Sequence, residues 1–121
     1  MAAILEEGVE GLTAAKSGPN HTGNFCFAPV HAHTQTGELT YLNSFYHIGH
    51  FSKFIKPGAK RIISSSSRGQ LLTTAFRNPD GSIATVVMNQ SDEKIGYHWW
   101  MKGRAAGISS PPHSIQTTVV E

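Results

Sequence analysis

The run Ser44-Phe-Tyr-His-Ile-Gly-His-Phe-Ser-Lys-Phe-Ile-Lys-Pro-Gly-Ala-Lys-Arg-Ile62 joins two kinds of sequence pattern. Apolar residues recur at helical spacing from Phe45 to Ile55, which predicts a helix that Asn43 or Ser44 can cap. Pro57-Gly58 ends this helix, because proline disfavours helical geometry in the residue before it. The residues that follow have β character. The run therefore predicts a boundary between a helix and a β domain.

The predicted helix carries aromatic residues on more than one of its sides. Phe45, Tyr46, Phe51 and Phe54 are spread around the helix rather than confined to a single stripe. A helix that is apolar over a wide arc is expected to pack between neighbours. We therefore expect this helix to be covered on more than one side.

Beyond the helix the sequence reads as short strands separated by turns. Leu71–Phe76 and Ile83–Met88 flank Asn78-Pro79-Asp80-Gly81, where proline fixes φ and glycine accepts positive φ. These two segments are therefore predicted to form an antiparallel hairpin. Ile95–Met101 and residues 115–119 also alternate. Five or six such strands form a small antiparallel sandwich or half-barrel, so the predicted fold class is mainly β with one helix.

The first third of the chain is less patterned. Residues 1–17 give neither a convincing helix nor a strand. From Gly18 to Gly37, the density of glycine, proline, asparagine, histidine and threonine predicts a long loop, with Phe25, Phe27 and Val30 as buried anchors. The predicted organisation is therefore a poorly patterned segment at 1–17, a loop and helix at 18–58, and a β-sandwich at 59–121.

Length and composition exclude several classes of protein. The chain has 121 residues, fewer than the roughly 250 of a complete (β/α)8 barrel. Its formal net charge is only +2, so nucleic-acid binding is not predicted. Cys26 is the single cysteine, which excludes an internal disulfide and a thiolate zinc cluster.

No apolar run approaches the ~18 residues of a membrane span, and the start does not resemble a signal peptide. The compartment stays unassigned.

Three motifs resemble glycoside hydrolase family 30, the glucosylceramidase-like enzymes. They are Gly18-Pro-Asn-His-Thr-Gly-Asn-Phe-Cys26, the run from Ser44 to Ile62, and His113-Ser-Ile-Gln-Thr117. The resemblance covers roughly residues 17–121 and implies the last loop and helix of a (β/α)8 barrel followed by its flanking β-sandwich. It further implies an enzyme that cleaves a β-glucosidic bond with retention, on a glycolipid or oligosaccharide, without a metal or organic cofactor. Members of the family are commonly lysosomal or exported.

The resemblance also implies a substrate-binding loop. In family members, the segment that corresponds to Gly18–Phe25 follows the last strand of the barrel. The active sites of such barrels are built from loops of this kind. Asn20, His21, Thr22 and Asn24 would border the sugar pocket, with amide groups suited to hydroxyl recognition. The alternative, that Asn20 and Asn24 only satisfy the backbone of a turn, remains open.

Catalytic carboxylates are not predicted in this chain. Retaining glycosidases place two carboxyl groups about 5 to 5.5 Å apart, and none of the eight acidic residues matches the family's catalytic glutamates. Asp80, Asp92 and Glu93 fall in predicted turns and read as solvated residues. We therefore expect the chain to be inactive alone. Its expected partner is the barrel portion of the enzyme, or a second copy bound through the exposed interface.

Histidines and tryptophans offer two further hypotheses. His47 and His50 are neighbours on one helix face, but a metal pair needs a third ligand, so no metal site is predicted. The family resemblance implies instead that both histidines lie within a packed interface. Trp99 and Trp100 are adjacent in a strand and point to opposite faces, so at most one can face the core. The other is exposed, covered by a partner, or a platform for a sugar. The alternative function is thus a non-catalytic carbohydrate-binding or protein-interaction module.

Overall fold

The structure is a computed structural model that describes residues 4–6, 28–33 and 35–121. The chain divides into two compact units, Met1–Ile48 and Gly49–Glu121. The division falls inside the one helix of the described residues, α1 at Asn43–Ser52. Within the same residues, no helix has the length and apolar character needed to cross a bilayer.

The first unit contains three short strands, β1 at Ile4–Glu6, β2 at Val30–Ala32 and β3 at Leu39–Tyr41. Strand β1 runs parallel to β2, and β3 pairs with β2 in the antiparallel sense. The turn between β2 and β3 is closed by Gly37, which has a φ of 73° and donates its N–H to the carbonyl of His33 at 2.7 Å.

Two expectations for this region were wrong. Residues 1–17 were expected to hold no strand, yet β1 lies there, and the loop expected at 18–37 contains β2. Three-residue strands are too short to show alternation, and these are defined by pairing between distant segments. Val30 is buried as expected. Phe25 and Phe27 lie outside the described residues.

Helix α1 ends earlier than its sequence pattern predicts. It stops at Ser52, five residues before Pro57, and the chain continues in a turn. Asn78 explains this ending, because its side chain accepts the N–H of Lys56 at 2.9 Å and donates to the carbonyl of Phe54 at 3.0 Å. These two hydrogen bonds take the place of the backbone hydrogen bonds that would continue the helix. The two residues predicted as caps, Asn43 and Ser44, both lie within α1, and the hydroxyl of Ser44 has no hydrogen-bond partner among the described residues.

The helix is more exposed than its aromatic pattern predicts. None of its residues is buried. Tyr46 and Ile48 keep 57% and 53% of their surface exposed. The ring of Phe45 lies 4.8 Å from that of Tyr41 and 5.5 Å from that of Tyr46, so the aromatic residues contact one another at the surface.

The second unit is an antiparallel β-sandwich of two sheets, as predicted. The larger sheet has the order β4-β5-β6-β9, and the smaller one pairs β7 with β8. The six strands are β4 at Lys60–Ile62, β5 at Leu71–Arg77, β6 at Ile83–Asn89, β7 at Ile95–Met101, β8 at Arg104–Ser110 and β9 at Ser114–Val120. The β5–β6 hairpin is confirmed, with Leu71 opposite Asn89 at one end and Arg77 opposite Ile83 at the other.

Strand β6 is the centre of the unit. Four consecutive residues of this strand are buried, Ala84–Val87, because both of its faces are covered. On one face Val87 packs with Leu71 and Ile95, and Tyr97 joins this cluster. On the other face lies Thr117 of β9, whose hydroxyl donates to the carbonyl of His50 at 3.1 Å. The sheet is thus covered by the β7–β8 ribbon on one side and by the end of α1 on the other.

Candidate functional site

The sugar-binding loop implied by the sequence resemblance lies outside the described residues. This applies to Asn20, His21, Thr22 and Asn24 alike, so their role stays a prediction. The candidate site of the second unit is a different feature, an open groove of about 680 Å³ that runs beside strand β7. Its walls are the end of β4, the segment that follows it, the near face of the larger sheet, and β7 itself. The lining residues are Ile62–Arg68, Leu71, Thr73, Ala75, Thr85, Val87 and Gly96–Met101.

The groove runs along an unpaired edge of β7. The β7–β8 hairpin has a two-residue turn, Lys102-Gly103, and Met101 pairs with Arg104 beside it. Hydrogen-bonded and non-hydrogen-bonded pairs alternate from the turn. Every second residue of β7, starting at Trp100, therefore directs its backbone N–H and C=O away from β8. Within the described residues no strand pairs with that edge.

Trp99 connects the ribbon to the larger sheet. Its side chain faces β6, and the indole Nε1 donates to the hydroxyl of Thr85 at 3.1 Å. Tyr97 lies two residues before it on the same face, and its hydroxyl contacts Gln116 at 3.5 Å. Partial burial raises the pKa of Tyr97, because ionisation would place a charge in poorly solvated surroundings. Both residues therefore belong to the packing between the two sheets.

Trp100 points the other way. It keeps 69% of its surface exposed, and it lies on the outer face of the ribbon because alternate strand residues face opposite sides. The sequence left open which tryptophan would face the core. The structure assigns that position to Trp99 and leaves Trp100 at the surface.

Asp80 and Asp92 are not arranged as a glycosidase pair. Asp80 and Asp92 lie at opposite ends of β6, and a seven-residue strand separates them by roughly 20 Å. Asp80 binds Lys56 and accepts the hydroxyl of Ser82 at 2.6 Å. The hydrogen bond from Lys56, followed by those from Ser82, holds the pKa of Asp80 well below its usual range. Asp80 is thus a permanent anion near neutral pH and is unsuited to donating a proton.

His47 and His50, for which a structural role was predicted, each contact a polar group nearby in the structure. His47 Nδ1 lies 2.8 Å from the carbonyl of Asn43, one helical turn earlier. His50 Nδ1 lies 2.9 Å from the hydroxyl of Thr117. His113 binds Asp92 at 2.7 Å on the surface. Among residues 28–33 and 35–121, no three His, Cys, Asp or Glu side chains lie close enough together to hold a metal ion.

Sequence analysis missed two buried asparagines that organise the turns. Asn78 is 3% exposed and holds the segment after α1, while its amide also donates to the hydroxyl of Ser82 at 3.0 Å. Asn89 is 1% exposed. Its amide donates to the carbonyls of Glu93 and Pro111, both at 2.8 Å. The available signal was an asparagine on each side of the predicted strand Ile83–Met88, since a buried amide needs several partners.

Comparison with known proteins identifies relatives of this chain. Residues 58–118 match the family model described as the glycosyl hydrolase family 30 beta sandwich domain. The lysosomal acid glucosylceramidase of Mus musculus is 38% identical over 81 residues, covering 66% of this chain and 16% of that protein. The putative glucosylceramidase 1 of Caenorhabditis elegans is 44% identical over 108 residues, covering 75% of this chain and 21% of the relative. The chain therefore spans about a fifth or less of the length of these curated relatives.

Solved structures show the same fold. SrfJ from Salmonella typhimurium superposes with a TM-score of 0.82 and 31% identity, over 97% of this chain and 24% of SrfJ. The endo-beta1,6-glucanase BT3312 superposes with a TM-score of 0.76 over 94% of this chain and 24% of that one. At 24% identity, the second similarity is one of fold alone.

Proposed function

Because the chain belongs to glycosyl hydrolase family 30 through its β-sandwich domain, we propose that it is the non-catalytic sandwich part of a glucosylceramidase-like retaining glycosidase. The whole enzyme would hydrolyse a β-glucosidic bond of a glycolipid or oligosaccharide. Its two catalytic carboxylates would come from a (β/α)8 barrel, and neither a metal nor an organic cofactor would take part. In this proposal the present chain is inactive alone.

One observation carries the proposal: a family sandwich match at residues 58–118 in a chain that spans 16% and 21% of two glucosylceramidase relatives. The state of the acidic residues supports it. The carboxylate of Asp80 is ionised and accepts hydrogen bonds from Lys56 and Ser82. The side chain of Asp92 is 95% exposed. A retaining mechanism needs a close pair, one member of which is protonated at the start. Neither residue has that environment.

The unpaired edge of β7 supports the proposed partner. A strand edge presents N–H and C=O groups that another strand can bind, and folded proteins normally cover such edges. The groove leaves space beside this edge. We propose that the remaining part of the enzyme fills it. The exposed aromatic residues of α1 are a second surface that the barrel portion would cover, and in its absence we expect them to promote self-association.

Complementation tests the proposal. Hydrolysis of a fluorogenic β-glucoside would be measured with the purified chain, with a separately expressed family enzyme portion that lacks this end, and with the two mixed. We expect hydrolysis only in the mixture. Hydrolysis by the chain alone, abolished by replacing its own acidic residues, would overturn the proposal.

A matched pair of variants tests the edge of β7. Gly96→Pro removes an N–H that faces the groove and adds a ring there, while edge strands accept proline at such positions. Gly96→Ala is the control, because an added Cβ at this position meets no atom within 4 Å. We expect the proline variant to lose complementation and the alanine variant to retain it. Equal activity in both variants would exclude strand pairing at this edge.

A further inference from the structure

The outer face of the β7–β8 ribbon has a single large side chain among small ones. Register and alternation place Gly96, His98 and Trp100 of β7 on this face, and the residues opposite them are Ser109, Gly107 and Ala105 of β8. All six are exposed. The indole of Trp100 therefore lies among small residues rather than in a packed cluster, next to the groove that Trp100 and His98 also line.

The neighbours of Trp100 leave its ring open. Directly opposite is Ala105, whose methyl group is too short to cover an indole. His98 faces Gly107, where an added Cβ would meet nothing within 4 Å. Within residues 28–33 and 35–121, no hydrogen bond reaches the Nε1 of Trp100, whereas that of Trp99 binds Thr85. Trp100 thus keeps both an aromatic face and a donor available.

A single exposed tryptophan is common on protein surfaces, so the groups beside Trp100 decide what it can bind. Indole combines a flat apolar ring with one polar N–H, which suits a ligand that has an apolar face and a polar rim. His98 lies two residues away on the same face, roughly 7 Å along the strand. Its ring nitrogens donate and accept hydrogen bonds. An aromatic plane beside a hydrogen-bonding group is the combination that a pyranose ring with hydroxyls can satisfy.

The charges around this face select a neutral ligand over a cationic one. No acidic residue occurs in the whole ribbon from Ile95 to Ser110, and its two fixed cations, Lys102 and Arg104, are at the hairpin tip. A basic peptide would find no counter-charge here. The imidazole of His98 and, farther along the ribbon opposite Gly96, the hydroxyl of Ser109 can instead hydrogen-bond the hydroxyls of an uncharged sugar.

We propose that the outer face of the β7–β8 ribbon is a binding site for a neutral glycan, with a sugar ring stacked on Trp100 and a hydroxyl bound by His98. The choice of a β-linked glucosyl unit as that sugar rests on the proposed function. The geometry of the site does not depend on it. The site would hold a glucosyl-bearing chain or headgroup near the enzyme without taking part in the chemistry.

Affinity electrophoresis of the full chain in gels that contain a soluble β-linked glucan tests this site. We expect the chain to be retarded by the β-glucan, and Trp100→Ala to weaken binding about two- to tenfold, which is the size of one stacked aromatic contact. Trp100→Tyr keeps an aromatic face and should retain most of the binding. Leu72→Ala is the matched control, because Leu72 is a 47% exposed apolar strand residue on the larger sheet.

The outcomes separate the site from its alternatives. Absence of retardation in every neutral glucan, or equal binding by Trp100→Ala and the unaltered chain, would overturn the proposal. Sedimentation provides a second measurement: if Trp100→Ala converts a dimer into a monomer, the face is a contact between copies and the glycan site is wrong. Because binding is measured on this chain without the barrel and without hydrolysis, its result is independent of the complementation test.

Discussion

The indole Nε1 of Trp99 donates to the hydroxyl of Thr85 at 3.1 Å and thereby joins the ribbon to the central strand of the larger sheet. Thr85 is only 6% exposed. A buried hydroxyl without a partner costs the full desolvation penalty of the group. This bond, together with the packing of Ile95 and Tyr97 against Val87, fixes which side of the ribbon faces the sheet.

Trp99→Phe should lower the free energy of unfolding by about 1–3 kcal/mol, because it leaves the Thr85 hydroxyl unsatisfied. Trp100→Phe is the control and should change it by less than about 0.5 kcal/mol, since that ring is exposed. Urea unfolding followed by far-UV circular dichroism measures both. Adding Thr85→Val to Trp99→Phe should recover part of the loss, and strictly additive effects of the two changes would contradict the pairing.

Asn78→Ala should destabilise the second unit by about 2–3 kcal/mol, because it removes the partners of Lys56 N–H and the Phe54 carbonyl together. It should also speed tryptic cleavage after Lys53 under native conditions, since these bonds hold the segment after α1. Gln90→Ala, an exposed change at the other end of the hairpin, is the control. Unchanged cleavage in the Asn78 variant would show that other contacts hold this segment.

The pairing of Asp80 with Lys56 predicts that the free energy of unfolding decreases at acidic pH as Asp80 becomes protonated. The folded pKa of Asp80 lies below its unfolded value, so its contribution is complete above a pH of about 4 and is lost as the pH falls toward the folded pKa. Asp80→Asn should flatten the dependence of the unfolding midpoint on pH between about 2 and 4. Lys56→Gln should flatten it in part, because Ser82 still donates to the carboxylate. An acid limb unaltered by both changes would contradict this assignment.

The ribbon turn predicts a stabilising substitution. Lys102 has a φ of 47° and Gly103 a φ of 80°, so both central residues occupy the left-handed region that two-residue hairpins require. Asparagine tolerates this conformation better than lysine, and Lys102→Asn should raise stability by up to about 1 kcal/mol. The comparison is Lys94→Asn, in a turn where the lysine does not have positive φ. A thermal midpoint that rises equally in both variants would refute the backbone explanation.

Parts of the fold were predictable from local pattern. The β5–β6 hairpin carries its own turn signal in Asn78-Pro79-Asp80-Gly81, and β7 alternates over its full length at Ile95–Met101. Both form where expected, because alternation and turn chemistry are properties of consecutive residues. Strand β8 was missed: Arg104–Ser110 consists mostly of small residues without alternation, and it becomes a strand through its pairing with β7.

The end of α1 and the two buried asparagines, Asn78 and Asn89, were not predicted from local sequence pattern. Phe45 to Ile55 continues at helical spacing, yet the helix stops at Ser52. The reason lies 22 residues away in the sequence, where Asn78 takes the N–H of Lys56. The spacing of residues 45–55 gives no information about Asn78, which comes near the helix only when the chain folds. The sugar-binding loop at Asn20–Asn24 lies outside the described residues and stays a prediction.

The two adjacent tryptophans separate the sequence from the tertiary structure most clearly. Strand side chains alternate with a period of two, so the order of residues is enough to show that Trp99 and Trp100 face opposite sides. Alternation sets relative directions and leaves the absolute one open. Only the packing of the ribbon on the larger sheet decided it, since Thr85 offers a buried acceptor to one indole, while the other lies where no described residue covers it.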